Sequence, residues 1–414
     1  MLLCSRKLKV TLLHNPYRSD FPIFQKHPRL AYLDNAATTQ RPRQVIDAIT
    51  QFYSEENANI HRGIYDLSNQ ATNKYEAVRN KAAELLGLEN VKTIGFTKGT
   101  TEAINIVARS FVQPLLNAGD NIVTTTMEHH ANFLPWQVIC EENKAELRLV
   151  EIDQKGDLVL GQIEAKISDN TRIVAINHIS NTLGTINEIK EIVEIAHRKQ
   201  VPVLIDAAQS AAYYDLNVQD LGCDFLVFSG HKLFGPFGTG ILYVSEAHIQ
   251  HMKPYNYGGG MIRQVAVEGS SFAPFPDNLE AGTPSIADVI GLGAAIDYIK
   301  QLDKVAVRRQ LAELTKYAEL ELSRIPTIRI IGTPKEKSGI ISFTVENIHP
   351  HDVAAFLNKD GIAVRAVMHC TQPLLQHLKL PATVRASFSI YNTKEEIDRL
   401  CSSLVELINF WSGE

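Results

Sequence analysis

Short apolar segments alternate with amphipathic segments of helical period over about residues 75–245, and this alternation constrains the fold more than any other feature. The clearest unit has an apolar strand over 172–177, a helix with one apolar face over 189–196 and a second apolar strand over 201–206. A further apolar strand follows at 225–228. Repeated βαβ units build parallel sheets, and strands that are apolar throughout are covered on both faces. The sequence therefore predicts an α/β fold around a mostly parallel sheet.

The pattern changes after about residue 300, where it predicts a second, smaller α/β unit. The predicted elements are two long helices, a strand over 339–345, a helix over 352–357, strands near 362–364 and 384–388, and a last helix. Thr393 and Glu396 form a capping-box pattern at the start of that last helix. We expect a large domain of residues 31–298 and a small domain that joins residues 1–30 to 299–414.

The charge balance argues against nucleic acid or membrane partners. The 414 residues include 41 lysines and arginines and 46 aspartates and glutamates, so the formal net charge is −5. This mild acidity supplies no basic surface for phosphate backbones or anionic lipid. No apolar run approaches the roughly 20 residues that cross a bilayer, and the opening segment mixes charged and apolar residues in a way that fits a signal peptide poorly. We expect a cytoplasmic protein that acts on a small molecule.

The five cysteines include no CxxC pair and predict a reduced protein without a disulfide framework. Cys140 and Cys401 fall on the apolar faces of predicted helices, and Cys223 precedes an apolar strand. All three are interpreted as small core residues, whereas Cys4 belongs to the N-terminal end. Cys370 lies in a loop-like stretch before a proline, with no apolar periodicity to bury it. Core packing therefore does not account for Cys370.

Polar residues directly after predicted apolar strands are the candidates for chemistry, because ligands of open α/β sheets bind beyond the carboxyl ends of the strands. Asp206 ends one such strand, Lys232 follows another, and Thr100 and Thr101 precede a periodic helix. Each has an ordinary alternative, since Asp206 and Thr100 would serve equally as helix N-caps and an isolated lysine is usually solvated. A dinucleotide fold is disfavoured because no strand is followed by G-x-G-x-x-G, and the P-loop pattern does not occur.

These residue types meet the requirements of a pyridoxal phosphate (PLP) site. A lysine in a desolvated pocket has a lowered pKa and offers a neutral amine to a carbonyl compound, of which PLP is the commonest in proteins. Such a site needs a carboxylate at the pyridine nitrogen, donors for the phosphate, a flat group against the ring and an arginine for the substrate carboxylate. A helix N-terminus like the one after Gly99 suits a phosphate group. The sequence can supply every one of these groups.

Eight motifs, in order, resemble those of the cysteine desulfurases from about residue 22 to the end of the chain. They are His61-Arg62-Gly63, Gly99-Thr100-Thr101-Glu102, Met127-Glu128-His129-His130-Ala131-Asn132, Asn181-Thr182-Leu183-Gly184, Asp206-Ala207-Ala208-Gln209, Ser229-Gly230-His231-Lys232, Glu280-Ala281-Gly282-Thr283-Pro284 and Arg385-Ala386-Ser387. The resemblance is best to the SufS-like (type II) group of the class V, fold-type I PLP enzymes. It implies an α/β fold with a mostly parallel seven-stranded sheet in the large domain and a smaller C-terminal α/β domain.

The resemblance also implies a role for each matched residue. Lys232 would bind PLP covalently and move protons, Asp206 would pair with the pyridine nitrogen, and His129 would stack on the ring. The other cofactor contacts would come from Thr100, Thr101, Asn181, Gln209, Ser229 and His231, with Thr283 supplied by the partner subunit of a homodimer. Arg385, together with Asn181 and Arg365, would bind the substrate carboxylate, for which a planar guanidinium is better suited than an ammonium group. No metal site is predicted.

Cys370 matches the nucleophile of the cysteine desulfurases, which implies that it takes sulfur from L-cysteine as a persulfide and leaves alanine. A free thiol has a pKa of about 8.5, so a neighbouring group must favour the reactive thiolate. His369 and Arg365 are the nearest candidates in the sequence. Residues 365–370 read RAVMHC, whereas many type II sequences read RTGHHC. We expect the exchange to stiffen the loop and to remove one titratable group.

The resemblance implies a sulfur supply for iron–sulfur cluster assembly, through a SufE-like or SufU-like acceptor and an assembly scaffold. Three other functions remain open: a selenocysteine lyase, in which selenium leaves so readily that an attacking thiol is dispensable, an aminotransferase, and a catalytically degenerate partner protein that only binds PLP. The intact set of Lys232, Asp206, His129, Arg385 and Cys370 argues against the degenerate protein.

Overall fold

The computed structural model describes residues 15–413, so Cys4 lies outside the described part. The strands are β1 (Ala31–Tyr32), β2 (Ile94–Thr97), β3 (Asn121–Thr125), β4 (Glu146–Val150), β5 (Thr171–Asn177), β6 (Val203–Asp206), β7 (Phe225–Ser229), β8 (Gly240–Val244), β9 (Ile262–Ala266), β10 (Gly269–Phe272), β11 (Ile328–Ile331), β12 (Ile340–Val345), β13 (Ile362–Ala363), β14 (Arg365–Val367) and β15 (Thr383–Ser387). The helices are α1 (Pro22–Lys26), α2 (Arg43–Gln51), α3 (Asp66–Leu85), α4 (Thr100–Ile106), α5 (Leu134–Asn143), α6 (Leu160–Lys166), α7 (Ile189–His197), α8 (Val218–Leu221), α9 (Glu246–Ile249), α10 (Ile286–Lys300), α11 (Lys304–Ser323), α12 (Pro350–Lys359), α13 (Gln372–His377) and α14 (Lys394–Ser412).

A seven-stranded sheet with the order β2-β8-β7-β6-β5-β3-β4 forms the centre of the fold. Only β8 runs antiparallel to its neighbours, which confirms the predicted mostly parallel seven-stranded sheet. The inner strands are apolar and buried along their length because helices cover both faces of the sheet. Asn177 pairs with Asp206 at the carboxyl ends of β5 and β6, and Ser229 ends the adjacent strand β7. Polar side chains therefore meet along one edge of an apolar sheet.

A four-stranded antiparallel sheet with the order β11-β12-β15-β14 forms in the C-terminal part. The predicted strands near 340, 362 and 384 and the helices α12 and α14 are confirmed. The prediction of two long helices after residue 300 is wrong: α10 ends there, α11 is the one long helix between residue 300 and β12, and β11 follows α11. The short apolar segment 328–331 becomes a strand because it pairs with β12. The backbone N–H of Thr393 donates to the Glu396 carboxylate at 3.2 Å, as the capping-box pattern predicted.

The largest hydrophobic cluster includes side chains from both predicted domains. Phe21, which precedes β1, packs its ring 5.7 Å from that of Phe234, 5.9 Å from Tyr298 and 4.6 Å from Tyr391. The N-terminal segment thus joins the region after β7 to the C-terminal part. The boundaries at residues 30 and 298 stay a prediction. No helix within residues 15–413 has the length and apolar character that a bilayer span requires.

Two of the three cysteines predicted in the core, Cys140 and Cys223, are buried. Cys401 was also predicted to be a core residue, but its side chain is only partly buried. Leu400 and Leu404 face the core from α14. Cys401 is one position after Leu400 and therefore lies at the edge of this core-facing side. Burial raises the pKa of both Cys140 and Cys401 to about 12. Neither side chain is therefore an ionised nucleophile near neutral pH.

Candidate active site

A cavity of about 200 Å³ opens beyond the carboxyl ends of β5, β6 and β7, where an α/β sheet places its ligands. Twelve residues that the sequence singled out line this cavity: Thr100, Thr101, His129, Asn181, Asp206, Gln209, Ser229, His231, Lys232, Arg365, His369 and Arg385. Thr283 is exposed on the surface and Cys370 is partly buried, and neither belongs to the lining. The structure thus brings together most of the predicted site around one space.

Lys232 and Asp206 both line the cavity, and the charge of each affects the pKa of the other. Lys232 lies in the 3₁₀ turn after β7, where desolvation lowers its pKa from 10.5 to about 8 while the Asp206 carboxylate opposes that change. Asp206 ends β6 and is buried, so its pKa is raised, against the effects of the Lys232 charge and the Ala208 N–H at 2.9 Å. The turn depends on Gly230, since a Cβ there would lie 2.2 Å from Thr239 Oγ1. The amine of Lys232 is accordingly available in its neutral form near physiological pH.

Hydroxyl groups and the His231 imidazole also belong to the lining of the cavity. Both the backbone N–H and the hydroxyl of Thr100 lie 2.8 Å from Ser229 Oγ. Gly99 precedes this helix N-terminus at φ +148°, and a Cβ there would come within 3.2 Å of the same Ser229 oxygen. His231 has a buried Nδ1 without a hydrogen-bond partner, and its pKa is lowered to about 4 by burial and by the Lys232 charge. Neutral donors around a helix N-terminus fit a phosphate group.

His129 presents a neutral ring to the cavity. Burial, and then the charge of Lys232, lower its pKa to about 3. The ring is fixed because its Nδ1 accepts a hydrogen bond from the Ala131 N–H at 3.0 Å. A neutral, fixed imidazole is suited to stacking on an aromatic ring, as the resemblance implied. Gln209, also in the lining, donates from its side-chain amide to Ala36 O at 2.8 Å.

Arg385 is buried in β15 and has two of its nitrogen atoms engaged. Its Nη1 donates to Asn181 O at 2.9 Å and its Nη2 donates to Asp34 Oδ1 at 3.0 Å, while its Nε has no partner among the described residues. A guanidinium with unused donors has the chemistry that binds a carboxylate. Asp34 was missed by the sequence analysis because it lies in an aperiodic polar segment. Only its position directly after the apolar segment 31–33 could have marked it.

Cys370 lies in a tight turn between β14 and α13. His369 and Cys370 both adopt the left-handed conformation, with φ of +50° and +57°. Asn181 donates from its side chain to His369 O at 2.8 Å and helps to hold the turn. Of the two candidates for favouring the thiolate, His369 is unsuited, because its ring points to Thr383 Oγ1 at 2.9 Å and burial lowers its pKa to about 3. A neutral ring supplies no positive charge.

The residues of the cavity fit PLP on geometry and chemistry. The lining combines a lysine amine of lowered pKa, a buried carboxylate, hydroxyls at a helix N-terminus and the neutral rings of His129 and His231. The His231 Nδ1 has no hydrogen-bond partner among residues 15–413. These are the groups needed for the aldehyde, the pyridine nitrogen, the phosphate and the ring face. The unpaired Arg385 Nε adds a place for an amino acid substrate.

Comparisons with known proteins agree with this site. The family model for class-V aminotransferases matches residues 31–400. A cysteine desulfurase of Salmonella agona is 46% identical over 396 residues, which cover 94% of this chain and 97% of the relative. A probable cysteine desulfurase of Halalkalibacterium halodurans is 45% identical over 93% of this chain and 95% of its own length. The apo structure of a cysteine desulfurase from Thermococcus onnurineus superimposes with a TM-score of 0.90 at 38% identity, covering 95% of this chain and 97% of that one.

Sheet order, cavity and family match together define a fold-type I, PLP-dependent enzyme of the class-V aminotransferase family. Two cysteine desulfurases are 45% and 46% identical to this chain over more than nine-tenths of its length, which narrows the assignment from the family to one kind of enzyme. Within that class, the chain belongs to the cysteine desulfurases.

Proposed function

We propose that this enzyme converts L-cysteine to L-alanine and stores the released sulfur as a persulfide on Cys370. The observation that carries the proposal is the placement of Cys370 beside a cavity that holds an amine of lowered pKa, a buried carboxylate and an arginine with free donors. Cys370 directly follows His369, which lines the cavity, so the thiol belongs to the turn at the cavity wall. A thiol in this position would reach the sulfur of a bound amino acid.

The cofactor and the side chains of the protein would make different contributions to the reaction. PLP, when bound, supplies an electron sink that stabilises negative charge on the substrate carbon. Lys232 would hold the cofactor and then, with a pKa of about 8, move a proton to and from the substrate carbon. Asp206 would stay ionised against the positive pyridine nitrogen, and His129 would hold the ring flat. Thr100, Thr101, Ser229 and His231 would bind the phosphate.

Arg385 would fix the substrate by its carboxylate. Its Nε and the remaining hydrogens of its two Nη atoms are free to bind both oxygens of that group. Arg365 also lines the cavity and would add positive charge near the substrate. Asn181 connects Arg385 to the turn that carries Cys370. Its carbonyl oxygen accepts a hydrogen bond from Arg385, and its side chain donates one to His369 O. The carboxylate and the nucleophile turn are thus held by one residue.

Sulfur transfer would take place at Cys370 Sγ. The thiolate forms an S–S bond with the substrate sulfur as the Cβ–S bond of the substrate breaks. The electron pair of the broken bond stays with the three-carbon fragment, which takes up protons and leaves as alanine. The enzyme keeps the outer sulfur atom as a persulfide, ready for transfer to an acceptor thiol.

The finer assignments belong to the same proposal. We place the enzyme in the SufS-like group, in the cytoplasm, as a homodimer that passes sulfur to a SufE-like or SufU-like acceptor for iron–sulfur cluster assembly. The homodimer is supported by Thr283, which is exposed and lies outside the cavity of its own chain. A phosphate contact from Thr283 would therefore have to come from the partner subunit.

Product analysis with L-cysteine and a reductant tests the proposed reaction. We expect equal amounts of alanine and sulfide, no requirement for a keto acid, and loss of both products in Cys370→Ala. Cys401→Ala is the matched control, since Cys401 is also partly buried but lies on α14. Selenocysteine turnover that survives in Cys370→Ala fits the proposal. Cysteine turnover that survives there would overturn the nucleophile, and a keto-acid requirement would point to an aminotransferase.

A further inference from the structure

His130 connects the cofactor side of the site to the nucleophile turn. It follows His129 directly but does not line the cavity. Its backbone N–H donates to Cys370 O at 2.7 Å, and its ring Nε2 accepts the backbone N–H of Gln372 at 3.1 Å. One residue therefore holds the chain at Cys370 and again at Gln372, two positions later.

The second of these bonds completes a helix end. Gln372 is the first residue of α13, and N–H groups in a first helical turn have no partner within the helix. Thr371, at the N-cap position, forms no capping bond with its side chain and instead shares a hydroxyl contact with Thr182 at 2.9 Å. The His130 ring takes the place of the missing cap. The acceptor comes from a segment about 240 residues away in sequence, so the bond fixes α13 relative to the end of β3.

The turn needs such support. Two successive non-glycine residues, His369 and Cys370, have positive φ, a conformation that side chains with a Cβ disfavour. It persists only where the surroundings hold it. The acceptor role of Nε2 also requires an uncharged ring, and burial lowers the His130 pKa. His130 therefore meets the chemical condition for a lasting cap near neutral pH.

We propose that His130 is a positioning residue for sulfur transfer: its ring caps α13 and holds the Cys370 turn at a fixed place relative to the neighbouring His129. The inference rests on the proposed function, because it assigns a role in reaching the substrate sulfur. His129 would stack on the cofactor and His130 would hold the nucleophile, so two adjacent residues set the distance between the reacting parts. Cofactor binding itself does not require the His130 ring.

Two amide substitutions of His130 distinguish a role in positioning Cys370 from a general structural requirement for an imidazole. The side-chain oxygen in His130→Gln reaches about where Nε2 lies and can accept the Gln372 N–H. The side chain in His130→Asn reaches only about as far as Nδ1 and cannot. The two variants have the same polar group and differ by one methylene, and neither changes the backbone N–H bond to Cys370 O. A structural requirement for an imidazole would affect both equally.

We expect His130→Asn to lose about tenfold to a hundredfold in turnover of L-cysteine, the range in which small misplacements of reacting groups act. Turnover of L-selenocysteine, which depends less on an attacking thiol, should stay within about twofold of wild type. His130→Gln should retain most of both activities. The absorption band of bound PLP should be unchanged in both variants. Equal losses with the two substrates, or no loss in His130→Asn, would overturn the proposal.

An alkylation experiment tests the same role without turnover. Iodoacetamide is added to the PLP-loaded enzyme together with free N-acetylcysteine as a reference thiol, and mass spectrometry gives the rates at Cys370 and at the reference in one sample. A released turn should raise the rate at Cys370 relative to the reference in His130→Asn, while the relative rate in His130→Gln stays near wild type. An unchanged relative rate in His130→Asn would refute the positioning role. Because this readout needs no desulfurase activity, failure of the proposed function would be seen separately, as an inactive wild-type enzyme.

Discussion

Arg385 donates a hydrogen bond from its Nη2 to Asp34 Oδ1 at 3.0 Å, so the arginine expected to bind the substrate is already oriented by a carboxylate of the chain. Asn181 O holds the other terminal nitrogen at 2.9 Å. Because both terminal nitrogens of the guanidinium are held, the Nε, which has no hydrogen-bond partner among the described residues, has a fixed orientation. In the proposed reaction, Asp34 would therefore contribute to substrate binding by orienting the guanidinium.

Removal of the Asp34 acceptor should weaken substrate binding more than it slows chemistry. Asp34→Ala leaves Arg385 with one fixed nitrogen, and loss of a charge-assisted hydrogen bond costs about 1.5–3 kcal/mol, so we expect KM for L-cysteine to rise by about tenfold to a hundredfold. Asp34→Asn keeps an acceptor oxygen and is the matched control, with a smaller rise. Steady-state kinetics measure both parameters. A KM of Asp34→Ala within about twofold of wild type would show that Arg385 needs no such partner.

Asp34 also marks a limit of inference from sequence. Residues such as Asp206 and Lys232 were predictable because parallel strands bring their carboxyl ends to one edge, so a polar residue after each apolar strand has a known location. Asp34 reaches Arg385 across 351 positions of the chain through an isolated parallel bridge between Asp34 and Ser387 of β15. A two-stranded contact of this kind leaves no periodic pattern in the sequence.

The same reasoning explains which elements of the fold were predicted. Long segments with a clear period, such as α7 and β5, lie where the pattern places them. β11 and β14 have four and three residues and are defined by pairing with β12 and β15. The orientation of the His369 ring towards Thr383 could not be predicted from the sequence either, because it depends on a side-chain contact and not on residue type.

The Lys232 pKa predicts how the rate of PLP uptake depends on pH. Only the neutral amine bonds to the aldehyde, and desolvation lowers the Lys232 pKa from 10.5 to about 8. The uptake rate of the apoenzyme should therefore rise between about pH 7 and pH 9 and level off above that. Absorbance after mixing with PLP gives the rate, and free N-acetyl-lysine serves as the reference. A midpoint near that of the free amine would show that Lys232 is not desolvated.

The N-terminus of α4 predicts a selective effect at Gly99. An alanine there has an unfavourable φ of +148° and places its Cβ 3.2 Å from Ser229 Oγ. Gly119 is the matched control, because its φ is +88° and a Cβ would contact nothing within 4 Å. Both alanine variants should lose about 1 kcal/mol in the free energy of unfolding. Only Gly99→Ala should also bind PLP more weakly in equilibrium titrations, and equal PLP affinity in the two variants would contradict a phosphate site at Ser229 and Thr100.

Trapping of the sulfur on the enzyme tests the central claim most directly. The wild-type protein, given L-cysteine without a reductant and then alkylated, is digested and analysed by peptide mass spectrometry. We predict one additional sulfur atom on the peptide that contains Cys370, none on peptides with Cys140, Cys223 or Cys401, and no persulfide in Lys232→Ala. Alanine that forms while Cys370 stays unmodified, or a persulfide on another cysteine, would contradict the account.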